Sequence, residues 1–205
     1  MTSEYKLRTP LREEDIRSLN VGDIVYLTGI IVSARDAAHK RALELLEKGE
    51  KLPIDLRGLA VYHVGPVVRK TESGWEIISA GPTTSTRMEA YEADFIAKTG
   101  VRMIIGKGGM GPRTVEACKK HGAVYTIYPG GVAALAARAI KRVIDVYWLD
   151  LGIPEAMWVM EVENFGPLTV IIDSKGNNFY EKRYKEIREK LDKEIYPQIF
   201  SELKS

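Results

Sequence analysis

Hydrophobic and polar positions alternate between two rhythms along this chain. Asp23-Ile24-Val25-Tyr26-Leu27-Thr28-Gly29-Ile30-Ile31-Val32 is β-branched and nearly continuous in apolar character, as a strand covered on both faces should be. Ala38, Ala42, Leu45 and Leu46 then recur at helical spacing from a start at Asp36, a candidate cap, to a stop at Gly49. Leu59–Val68 and Trp75–Ala80 predict two strands around a loop at 69–74. Before them, Leu7–Leu11 reads as extended and Arg12–Leu19 as a brief helix.

From Thr86 onward helices and strands alternate. Met88, Tyr91 and Phe95 stripe a helix that Gly100 ends, and Val101–Ile105 is a strand running into Gly106-Lys107-Gly108-Gly109-Met110-Gly111. Pro112 suits the first turn of a helix ending at Gly122. A strand over 123–128, a helix over 132–140 and strands over 143–149, 157–163 and 168–173 complete the pattern. The alternation predicts an α/β fold with a mixed sheet and parallel pairing in its middle, and the earlier strands as a separate antiparallel or barrel-like part. Past the turn Asp173–Asn177, Tyr184, Ile187, Leu191 and Ile195 stripe a charged C-terminal helix. The expected division is a main domain over 1–178 and a helical extension over 179–205.

Composition narrows the function classes. The 205 residues suffice for one domain with a sizeable core, and 45% hydrophobic with 28% charged is ordinary for a globular protein. Thirty basic against 28 acidic residues give a net charge of +2, which argues for no nucleic-acid or membrane partner. No apolar run approaches the ~20 residues of a membrane span, the leading segment lacks a signal-peptide core, and a cytoplasmic location is expected. The single cysteine, Cys118, excludes an intrachain disulfide and a thiolate cluster site, and reads as a buried small hydrophobe. No Cys/His/Asp spacing suggests a metal site, His63 and His121 being scattered.

Three stretches share one layout in which a strand ends, a polar or glycine-rich turn follows and a helix begins. They are Ala34-Arg35-Asp36-Ala37-Ala38-His39, Gly81-Pro82-Thr83-Thr84-Ser85-Thr86-Arg87-Met88 and Gly106–Gly111. The second carries four consecutive hydroxyls, and Thr86 with Glu89 fits a capping box. Ligands of α/β folds collect at the carboxyl ends of strands. The turns bring Arg35, Arg87 and Lys107 there, beside Thr83 and Thr84. Three cations with hydroxyls and free amides suit an anionic small molecule, a dicarboxylate in particular. Gly106–Gly109 lacks the spacing of a phosphate loop.

These motifs, with Tyr128-Pro129-Gly130-Gly131, Trp148–Ala156 and Asp173–Asn177, resemble the β subunit of the iron–sulfur (class I) fumarase and L-tartrate dehydratase family, the equivalent of the carboxy-terminal domain of its single-chain members. Ser85-Thr86 and Gly109 are similar to the two-subunit members. The resemblance implies a swivelling β/β/α domain and a hydro-lyase that reversibly adds water to fumarate, giving (S)-malate, with L-tartrate as alternative substrate. It implies an active site shared with a cysteine-bearing α subunit in a hetero-oligomer, and a 4Fe-4S cluster ligated by that subunit and not by this chain. It assigns Thr83 as the proton-transferring base and Arg35, Arg87 and Lys107 as carboxylate holders, supported by Asp36, His39, Thr84 and Gly108. A contrasting expectation from the residues is a non-catalytic dicarboxylate-binding or regulatory domain, and a third is a structural subunit acting through its terminal helix.

Overall fold

In a computed structural model that describes residues 3–72 and 74–197, the chain forms a mixed sheet packed against helices. The elements run β1 (Glu4–Arg8), α1 (Glu13–Ser18), β2 (Ile24–Ser33), α2 (Asp36–Glu47), β3 (Ala60–Tyr62), β4 (Val67–Thr71), β5 (Gly74–Ser79) and α3 (Glu89–Thr99). They continue as β6 (Met103–Gly106), α4 (Pro112–His121), β7 (Val124–Ile127), α5 (Ala133–Ala139), β8 (Ile140–Tyr147), β9 (Met157–Ile172) and α6 (Phe179–Lys190). The sheet order is β1-β2-β3-β6-β7-β9-β8. Within it β1, β2, β3, β6 and β7 pair in parallel and β9 runs antiparallel to its neighbours. Because β9 also pairs with β2, from Ile24↔Thr169 to Val32↔Val159, the strands β2-β3-β6-β7-β9 close on themselves.

Closure explains the apolar strands. Ala60, Tyr62, Met103, Ile105 and Val124 point into one buried cluster with Leu27, Trp158 and Phe165, while Val61, Ile104 and Tyr125 point into another with Ala38, Phe95, Ile96 and Cys118. Successive strand residues face opposite sides, so a sheet lined within by its own side chains and covered outside by α2, α3 and α4 needs apolar residues at every position.

Several expectations change. The early strands are no separate part: β1 and β2 join the main sheet, and only β4 and β5 stand aside, as a hairpin over the stretch read as strand, loop and strand. The two strands expected over 157–173 are one, β9, bent where Asn164 takes φ 49°. Asp36 is the first residue of α2 rather than its cap, the flanking position belonging to Arg35. The Thr86–Glu89 box is replaced by a short 3-10 turn, Ser85–Met88, leading into α3. Thr86 Oγ1 instead donates to Gly109 O at 2.9 Å, and the Glu89 carboxylate accepts from Gly111 N at 2.7 Å, Arg113 N at 3.1 Å and Thr114 Oγ1 at 2.6 Å. Glu89 thus satisfies the free amides at the start of α4, its neighbour's helix.

The terminal helix forms as expected, with Asn178 capping it by accepting from Tyr180 N at 3.0 Å. Its apolar stripe does not bury: Tyr184 is 71% exposed and Ile187 is exposed. Residues 198–205 of the expected extension lie outside the described residues. No helix among the described residues is long and apolar enough to cross a membrane.

Candidate active site

The parallel strands β2, β3 and β6 end side by side, and their exits supply three of the site's four pieces. β2 leads into Arg35 and the start of α2, β3 into His63, and β6 into Lys107. The fourth piece, Gly81–Arg87, returns from the hairpin across these ends. It is stitched there by a bridge of Pro82 to Val64 and another of Thr84 to Lys107. Thr83 N donates to His63 O at 2.8 Å, and Ser85 N to Lys107 O at 3.1 Å. The turns that the sequence marked therefore do meet, at the strand ends where an α/β fold gathers its ligands.

The rim of the site is open and cationic. Thr84, Arg87, Lys107 and Gly108 are exposed, and Thr83, Arg35 and Asp36 half-buried. Arg87 pairs with Asp36 through both its Nε, at 3.3 Å, and Nη2. Burial pushes the Asp36 carboxyl up, but its hydrogen bonds to Arg87 and to a backbone amide, with the charges of Arg87 and Arg35, together hold it below the usual range. Arg35 Nε lies 3.1 Å from Glu155 Oε1, while Glu155 Oε2 accepts from Ala37 N at 3.0 Å. Among the described residues the Lys107 ammonium has no carboxylate partner and the Thr83 hydroxyl no hydrogen-bond partner. Two cations against two anions, plus an unpaired lysine, leave the rim at +1. Gly108 turns the chain at φ +74°, a left-handed conformation that glycine takes without strain. Its carbonyl is held by Tyr125 Oη at 3.0 Å.

His39 is not on this rim. It is fully buried, as are His63, Ser85 and Glu92, and the four form a cluster directly beneath. His63 Nε2 stands 2.8 Å and His39 Nε2 3.4 Å from the same oxygen of Glu92. His63 Nδ1 meets Ser85 Oγ at 2.9 Å, and Ser85 Oγ also accepts from Lys107 N at 3.2 Å. Burial pushes the Glu92 carboxyl up, but the two imidazoles more than reverse this and bring it to about 2. Burial likewise opposes charge on both histidines. For His39 the pull of Glu92 prevails and its basicity rises; for His63 burial prevails and it falls.

Reading the sequence missed Glu92, set His63 aside as scattered, and used Ser85 and Glu155 only as parts of motifs. His63 was findable as the residue leaving a strand end. Glu92 sits four residues after Met88 on the apolar stripe of α3, where a charge without a partner would be costly. Among the described residues, His39, His63 and Glu92 are the one group of three histidine, cysteine or carboxylate side chains whose ligand atoms all lie within 4.8 Å of one another. A zinc centre with three protein ligands keeps a solvent position, whereas all three side chains have zero exposure and Phe95 lies 4.5 Å from the His39 ring. Cys118, buried with its thiol pushed up by burial, cannot ligate an iron–sulfur cluster at the rim.

Strand-end cations, a hydroxyl turn and an open face bring together groups that can receive an anionic small molecule. The Fumarase C-terminus family model matches residues 2–183, and the chain belongs to that family, with the class I fumarase and tartrate dehydratase β subunits. It is 47% identical over 186 residues to the L(+)-tartrate dehydratase subunit beta of Escherichia coli K12, covering 91% of each chain. It is 49% identical over 186 residues to the putative L(+)-tartrate dehydratase subunit beta of Methanocaldococcus jannaschii, covering 90% of this chain and 95% of the relative. A putative class I fumarate hydratase of Geobacillus stearothermophilus is 46% identical over 196 residues, 95% of this chain but 37% of that longer protein.

Proposed function

We propose that this chain is the β subunit of a hydro-lyase that reversibly hydrates fumarate to (S)-malate, its active site completed by a cysteine-bearing α subunit. The observation that carries the reading is the convergence of Arg35, Arg87, Lys107 and Thr83 on one open rim. A dicarboxylate needs an anchor at each end. Arg87 and Arg35 can grip one carboxylate through paired N–H donors, exchanging part of their hold on Asp36 and Glu155, while the unpaired Lys107 offers a point charge to the other.

Water leaves or joins next to a carboxylate only if a proton moves on the adjacent carbon. Thr83, its amide fixed to His63 O and its hydroxyl unengaged, is the group for that transfer. A threonine hydroxyl is a weak base unless neighbouring cations favour its deprotonated form. Arg87 and Lys107 are the cations of the same rim, and they also stabilise the negative charge that grows on the substrate carboxylate. The 4Fe-4S cluster of this reading belongs to the partner, since one buried thiol gives it no ligand set here.

L-tartrate is the second reading, supported by the names of the relatives of matching length. Anaerobic turnover of fumarate and of L-tartrate by the chain with an iron-loaded α subunit separates the two. Preference for fumarate supports the proposal, preference for L-tartrate transfers it to tartrate dehydration, and binding without turnover of either leaves a dicarboxylate-binding module.

A further inference from the structure

Glu92 is a carboxylate at zero exposure to which no group other than the two histidines comes close enough to compensate its charge. Its environment fixes the protons around it. His39 Nδ1 faces the Arg35 carbonyl at 2.9 Å, and a carbonyl can only accept, so Nδ1 carries hydrogen. His39 Nε2 faces the carboxylate at 3.4 Å; unprotonated, it would set two acceptors against each other in a dry site. His39 is then an imidazolium and neutralises Glu92. A second charged ring, 5.4 Å away, would have no anion left to balance it, so His63 is neutral. With its proton on Nε2 toward Glu92 at 2.8 Å, its Nδ1 accepts from the Ser85 hydroxyl at 2.9 Å.

We propose that Glu92, His39, His63 and Ser85 are positioning residues of the substrate site, with His39 as imidazolium, His63 neutral on Nε2, and Ser85 donating to His63. The network touches each catalytic turn at its backbone. His39 Nδ1 donates to the Arg35 carbonyl, Ser85 Oγ accepts from the Lys107 amide, and the main-chain carbonyl of His63, whose ring the network anchors, accepts from the Thr83 amide. The buried network thereby fixes the backbone at Arg35 and Lys107 directly, and Thr83 through the strand end that carries His63. The other ionisable groups facing it are Asp36 from α2, occupied by Arg87, Cys118 from α4 and Tyr125 from β7, whose thiol and phenol burial keeps neutral. The role assigned to these residues rests on the hydro-lyase reading; the proton arrangement does not.

The chain has three histidines, so nitrogen-15 NMR of the full-length, histidine-labelled chain resolves each ring, assigned by His39→Gln, His63→Gln and His121→Gln. The expected spectrum from pH 6 to 8 has His39 protonated on both nitrogens and His63 on Nε2 alone. A singly protonated His39, a charged His63, or stoichiometric metal whose chelation shifts both rings overturns the arrangement. In the assembled enzyme, Ser85→Ala should raise KM roughly tenfold, the scale of one lost hydrogen bond, with kcat nearly kept. An unchanged KM overturns the positioning role. Wild-type inactivity toward both substrates fails the hydro-lyase reading, and with it the positioning role, while the histidine spectrum still decides the proton arrangement.

Discussion

The rim of the site and the cluster beneath it are built from similar charges in opposite surroundings. On the rim, Arg87 and Asp36 pair where water reaches both, at 48% and 32% side-chain exposure, a setting in which ion pairs contribute about 0–1 kcal/mol. Beneath, Glu92 and its histidines pair at zero exposure, where the charges are held against a large desolvation cost and breaking the pair is expensive. The difference separates tasks. A weakly paired rim can release its cations to an incoming carboxylate, and a tightly balanced interior can hold the turns bearing those cations still.

The sharpest way to break this contrast is Glu92→Ala, which strands an imidazolium in the core. It should cost about 3–5 kcal/mol of folding stability, against about 0–1 kcal/mol for Arg69→Ala in the exposed Arg69–Glu76 pair. Equal values in urea titrations would show that the buried cluster is uncharged. Arg87→Ala reverses the pattern: stability should change by less than about 1 kcal/mol, while kcat/KM of the assembled enzyme loses about 2–4 kcal/mol of transition-state stabilisation. Unchanged turnover would remove Arg87 from the site.

Gly106→Ala probes the boundary between the two regions, since a Cβ there would stand 1.8 Å from Ser85 Oγ and 3.2 Å from His63 Nδ1. Overpacking of this kind should cost about 1–3 kcal/mol, read as a lowered melting temperature. Acid acts on the buried side. The two imidazoles bring the Glu92 carboxyl from its ordinary range down to about 2 in the fold, so its contribution is complete above about pH 4.5 and is lost as pH falls toward 2. His63, held neutral, adds an acid-side loss below about pH 6.5, where the unfolded ring takes up a proton. Glu92→Gln should flatten the slope between pH 4.5 and 2, and an unchanged slope would contradict the assignment. The smallest effect is expected at Tyr184→Ser on the exposed stripe of α6, within about 0.5 kcal/mol for the isolated chain; a larger loss would mean that the stripe is covered.

Much of the fold was legible because it is local. Continuous apolar strands signalled a sheet covered twice, and Gly100 and Gly122 stop α3 and α4 in left-handed conformations, at φ 70° and 66°. What escaped was long-range. Nothing in the residues of β2 and β9 announces that they pair across more than 120 positions, so closure of the sheet was invisible. Glu89 looked like a cap for its own helix and serves the next, because its carboxylate meets α4 only after the two helices pack. The rim was readable from its turns. The cluster below was not, since His39, His63 and Glu92 come from α2, the end of β3 and α3 and share no spacing.

In the proposed function Thr83, on this chain, moves the proton in a site shared with another subunit. The most direct test compares Thr83→Ala and Thr83→Ser in the assembled enzyme, under anaerobic conditions, on the substrate the wild type prefers. Alanine should lower kcat by roughly 10²–10⁴, the range for losing a proton-transfer group, with KM nearly unchanged and substantial recovery by serine. Wild-type kcat in Thr83→Ala would contradict it.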